Sequence, residues 1–87
     1  MEKKIAVVGI ILEENQISEQ VNSLLHRYSD FIVGRMGLPY KERGVSVISI
    51  VMDADADKIS AMTGELGKIK GVSVKAAISK GNLSGGK

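Results

Sequence analysis

Ile5 to Leu12 (IAVVGIIL) is an unbroken apolar run, rich in β-branched residues and too short for a core helix. It reads as a strand buried on both faces. Val45 to Met52 (VSVISIVM) is the clearest strand of the chain, with Val45, Val47 and Val51 pointing one way and Ile48, Ile50 and Met52 the other. Both alternating sets are apolar in each segment, so whatever sheet contains them has two greasy faces. With 87 residues in total, the chain has room for one small domain, which buries only about 60–65% of its unfolded surface. Covering one face of a sheet uses up the helices such a length allows.

The remaining elements follow from periodicity. Ile17, Val21, Leu24 and Leu25 fall at i, i+4, i+7 and i+8, which draws one apolar stripe on a helix from Gln16 to about Arg27. Asn15 suits its cap, Glu19 its positive N-terminal end and Arg27 its negative C-terminal end. Phe31 to Leu38 (FIVGRMGL) begins as a strand, and its two glycines predict a bulge or a close backbone approach. Pro39 to Gly44 reads as a polar hairpin loop. Asp53 and Asp55 mark a strand exit and a second helix cap. Ile59, Met62, Leu66 and Ile69 then recur at helical spacing from Ala56 to about Lys70, with Gly71 as the stop. Val72 to Ser79 alternates as a strand with one wet face. The order β-α-β-β-α-β predicts an α+β, ferredoxin-like sandwich: a four-stranded antiparallel sheet with two helices on one face. It occupies residues 1–80 as a single domain, with 81–87 as a flexible C-terminal tail.

The uncovered apolar face predicts self-association, as a dimer or tetramer, through Val45, Val47 and Val51, because soluble monomers seldom expose such a patch. Lys3-Lys4 ahead of the first strand imitates a signal peptide, but Glu13-Glu14 follow at once and no small-residue cleavage site appears. No segment reaches the roughly 18 apolar residues of a membrane span. A cytoplasmic protein without membrane contact is the expectation.

Several chemistries are missing. Cysteine is absent, which removes disulfides, zinc ribbons, iron–sulfur clusters and thiol catalysis. Aromatics make up 3% of the chain (Tyr28, Phe31, Tyr40), none in the first or third strand, so the stacking platform of an RNA-recognition sheet is lacking. The net charge of +2 does not by itself imply nucleic acid. In the acylphosphatases an arginine in the loop after the first strand binds phosphate, whereas Glu13-Glu14-Asn15-Gln16 would repel an anion. His26 is the only histidine and reads as a surface residue at a helix end rather than a metal ligand. Asp53, Asp55 and Asp57 open like a calcium loop, but Lys58 and Gly64 stand where glycine and glutamate are required. Gly34-Arg35-Met36-Gly37 continues a strand rather than joining two helices, so it is not a nucleic-acid clamp. Gly64-Glu65-Leu66-Gly67 repeats the pattern and reads as a close-packing feature of the second helix. No nucleophile, base and orienting group occur together, so the chain is not expected to be an enzyme, and no cofactor or metal is implied. Arg35, Tyr40, Lys41 and Arg43, around the hairpin, are the candidate site for an anionic ligand or an acidic partner. The bland reading, a solvated loop and sheet edge interrupted by Glu42, stands beside it.

Arg35-Met36-Gly37-Leu38-Pro39-Tyr40, the strand from Val45 to Val51, and Thr63-Gly64-Glu65-Leu66-Gly67 with Gly71-Val72 resemble a small family of proposed regulators of the iron-only hydrogenase system. The resemblance extends from the first strand to Lys80. It implies an ACT-like fold, similar to the C-terminal ligand-binding domain of nickel-responsive repressors, and a stand-alone regulatory module acting through a small effector or a protein partner. Three family features do not carry over. Phe31 to Leu38 lacks the histidines and cysteine with which the repressors hold nickel, and Glu13 to Gln16 lacks the glycine with which ACT domains meet an amino acid. The chain also begins almost directly with its first strand, so direct DNA binding is not expected. The alternative role is a ligand-free structural adaptor that joins other proteins through its sheet.

Overall fold

A computed structural model describes residues 2–13 and 17–81. Strand β1 is Lys3–Leu12, helix α1 Ser18–Arg27, strand β2 Ile32–Tyr40, strand β3 Val45–Asp55, helix α2 Ala56–Gly67 and strand β4 Val72–Ile78. The sheet order is β2-β3-β1-β4, antiparallel throughout. The two most apolar strands are therefore its centre, and both helices lie on one face in the ferredoxin-like arrangement.

Pairing decides the faces. Ala6, Val8 and Ile10 of β1 stand opposite Met52, Ile50 and Ile48 of β3, and all six are buried. Val21, Leu24 and Leu25 of α1 and Ile59, Met62 and Leu66 of α2 close over them. This core is aliphatic, with Tyr28 at its margin, and no polar side chain is buried among the described residues. On β4, Val72 and Val74 pack against the same core, while Ser73 and Lys75 face the other way.

Several boundaries differ from the sequence reading. The third strand runs on to Asp55, because Asp53, Ala54 and Asp55 pair with Ile5, Lys4 and Lys3. The polar connection is shorter than Pro39 to Gly44. Pro39 and Tyr40 belong to β2, which tolerates a proline because it is an edge strand. The turn itself is a 3₁₀ segment, Lys41–Arg43, closed by Gly44 at φ 66°. Helix α2 ends at Gly67, short of Lys70, and Ile69 and Val72 continue as turns, their N–H groups donating to Leu66 and Ile69 carbonyls. Gly71 closes that turn at φ 87°, a left-handed conformation a side chain would oppose, with Ile17 packed close by. Of the two α2 glycines, only Gly67 is a packing point: a Cβ there would lie 3.7 Å from Val74, whereas Gly64 faces open space. Helix α1 starts at Ser18 after Ile17, with no side-chain cap bond; the Asn15 cap and the anion-repelling loop residues Glu14 to Gln16 lie outside the described residues, as does the tail beyond Gly81. The domain's last described contacts tie it to β1. Ile5 N–H donates to Ser79 Oγ at 3.1 Å, and Lys4 Nζ donates to the carbonyls of Lys80 and Gly81. No helix of the described residues is long and apolar enough to cross a membrane.

Candidate functional site

The uncovered sheet face is the broadest candidate. In register across β1, β3 and β2, Ile11 stands opposite Val47, which stands opposite Leu38. Val7 stands opposite Val51 on one side of that row, and Val45 opposite Tyr40 on the other. These residues, with Met36, form one apolar surface broken only by the small Gly9–Ser49 pair. Met36 is 68% exposed and Leu38 58%, so a large part of it meets water. Its charges are peripheral: Lys3 and Asp53 near one end and Lys75 on β4. Val45, Val47 and Val51 all lie on this face, each partly buried by its neighbours.

The hairpin residues separate. An irregularity between Ile32 and Gly34 inserts Val33 as an extra residue, 68% exposed. Ile32 pairs with Met52 on the helix face, yet Gly34 pairs with Val51 on the open one. The insertion inverts the alternation of everything after it. Arg35, opposite Ile50, therefore lies on the helix side, and its Nη2 donates to Asn22 Oδ1 of α1. Tyr40 lies on the open face, five residues and about 17 Å along the strand. Lys41 and Arg43 sit exposed on the 3₁₀ turn. The four residues do not share one pocket. Arg35 instead joins Asn22, His26, Ser29, Leu25 and Ile32 around a cleft between α1 and β2.

Sequence reasoning passed over Asn22 and Ser29: Asn22 is one turn before His26 on α1, and Ser29 follows on the 3₁₀ segment Ser29–Phe31 just beyond the helix. It also missed an inter-helix clasp. Glu65 of α2 accepts from Arg27 Nη2 at 2.7 Å and from Tyr28 Oη at 2.9 Å. The Tyr28 hydrogen bond and then the Arg27 one hold the Glu65 carboxyl below its ordinary range. The same bond to Glu65, then burial, pushes the Tyr28 hydroxyl up. The aspartates act locally: Asp55 Oδ1 accepts from Lys58 N–H at 2.8 Å and caps α2, and Asp53 is exposed on β3. Among the described residues, no three acidic or histidine side chains gather as a metal site would need.

Two comparisons bear on these surfaces. A family model described as TM1266-like, "Iron-only hydrogenase system regulator, putative", matches residues 4–76. The solved structure of uncharacterized protein TM1266 from Thermotoga maritima superposes with a TM-score of 0.87 at 38% identity, over 91% of this chain and all of that one. No curated protein matches the chain.

Proposed function

The chain belongs to the TM1266-like family, which is described as a regulator of the iron-only hydrogenase system, and from that premise we propose that it is a self-assembling regulatory module of that system. It acts through a small effector or a protein partner rather than through catalysis or direct contact with DNA. The single observation that carries the reading is the open apolar face of the sheet. Four strands about 4.8 Å apart and seven to eleven residues long at about 3.4 Å each give a face of roughly 20 by 30 Å. A second copy laid on it buries area near the roughly 800 Å² per partner of a standard interface. The patch is uncharged through its middle, with charges of both signs at its margins, as a surface that meets its own copy requires. Assembly places regulation in contacts between subunits, where an effector or partner shifts the balance of states.

The test is genetic and biochemical together. Deleting the gene should change iron-only hydrogenase level or maturation, and restoring the wild-type chain should reverse that change. Unchanged hydrogenase in the deletion strain would remove the functional assignment. A ligand-free adaptor is separated from an effector-binding module by thermal shift, since a native-state ligand raises the melting temperature by mass action.

A further inference from the structure

The cleft between α1 and β2 combines one uncompensated cation with a ring of donors. The ion pairs among the described residues are Lys4–Glu2 and Arg27–Glu65, which leaves the Arg35 guanidinium without a carboxylate partner. Among the described residues, no acidic side chain lines the cleft. Asn22 accepts the Arg35 bond on Oδ1, so its side-chain NH₂ remains as two donors. Ser29 adds a hydroxyl, and the His26 imidazole carries an N–H in either protonation state. Beneath these polar groups are Leu25, buried, and Ile32, half-buried. An arginine fork held by a neighbouring amide is oriented in advance for a planar, two-oxygen acceptor.

We infer that the α1–β2 cleft, built from Arg35, Asn22, His26 and Ser29 over Leu25 and Ile32, binds a small organic carboxylate with a short aliphatic body. The carboxylate takes the guanidinium and amide donors, and the aliphatic part covers the apolar floor. The bulge at Val33 is what creates the site, because it turns Arg35 onto the helix side. This inference rests on the effector reading above and names the class of effector.

The experiment is an NMR titration of the intact protein with sodium butyrate, acetate and inorganic phosphate at constant ionic strength. Butyrate should shift the Asn22 side-chain amide, the Arg35 Nε–H and the His26 and Ser29 amides together in a saturable way, and more tightly than acetate or phosphate. Arg35→Gln should weaken butyrate at least about tenfold, as expected for loss of a charge-assisted pair, while Arg43→Gln leaves it unchanged. Phosphate binding as tightly as butyrate overturns the carboxylate class. Shifts spread over Lys41, Arg43 and Lys75, or shifts that persist in Arg35→Gln, overturn the site. Both results are read in vitro, so they stand apart from the deletion strain, whose hydrogenase level tests the regulatory reading alone.

Discussion

Glu65 is the residue whose chemistry most directly ties the two helices, since its carboxylate takes donors from both Arg27 and Tyr28. Its folded pKa is depressed, so its contribution is present above the unfolded value of about 4.3 and fades as pH falls through the folded one. Tyr28 has the opposite sense: its raised pKa means a contribution present below about 10 and lost at still higher pH. Between those limits the clasp is intact. The melting temperature of wild type should therefore fall toward that of Glu65→Gln as pH drops below the carboxylate range, and the gap should be widest near neutrality. Parallel curves for the two proteins would show that the clasp adds nothing. Arg27 was legible as a charge at a helix end, but its pairing was not, because Arg27 and Glu65 are 38 residues apart and only the packing of α1 on α2 brings them together. Arg35 was legible as a charge but not as a position.

Among the elements, the junction of β3 and α2 carries the sharpest prediction. The strand passes into the helix without a loop, and Asp55 holds the first turn through the Lys58 N–H. Asp55→Ala should cost about 1 kcal/mol, or roughly 4–8 °C in a domain of this size. Asp53→Ala, on the exposed strand position, should change stability by less than about 0.5 kcal/mol, and thermal melts of the two variants at neutral pH compare them directly. Equal losses would mean that the cap bond is not what holds the turn. This cap could be read from the sequence because the capping carboxylate and the N–H that donates to it are three residues apart. The extent of β3 could not, since residues 53–55 are polar or small and become strand only by pairing with Lys3 to Ile5. The bulge is intermediate: two glycines signalled an irregularity in β2, but only the register against β3 locates it at Val33 and so assigns Arg35 to one side and Tyr40 to the other.

At the scale of the whole molecule, the proposed self-assembly rests on the open sheet face. Val47 lies between Ile11 and Leu38 at the middle of that face. Val47→Lys should weaken self-association at least about a hundredfold, since an uncompensated ammonium buried in an apolar interface costs several kcal/mol. The subunit itself should lose less than about 1 kcal/mol, because the new side chain can reach water from an open strand face. Sedimentation equilibrium reads the first effect and a thermal melt of the dissociated variant the second. A wild-type monomer at high concentration, with the variant identical to it, would contradict assembly through this face.

What the sequence determined by itself was everything carried by short-range pattern. Two apolar strands, two amphipathic helices, their order and the greasiness of the second sheet face follow from side-chain periodicity, which a few residues express locally. Covalent absences followed as well: without cysteine, thiol chemistry has no atoms to use. What only the tertiary structure decided was which distant groups meet. One extra residue in β2 reverses the alternation beyond it, and so divides the hairpin cluster that looked contiguous along the chain and gathers Arg35 with Asn22, His26 and Ser29. The physical reason is that strand parity depends on a partner's register, a relation that at the bulge joins Ile32 to Met52 and Gly34 to Val51, and no local pattern within either segment specifies it.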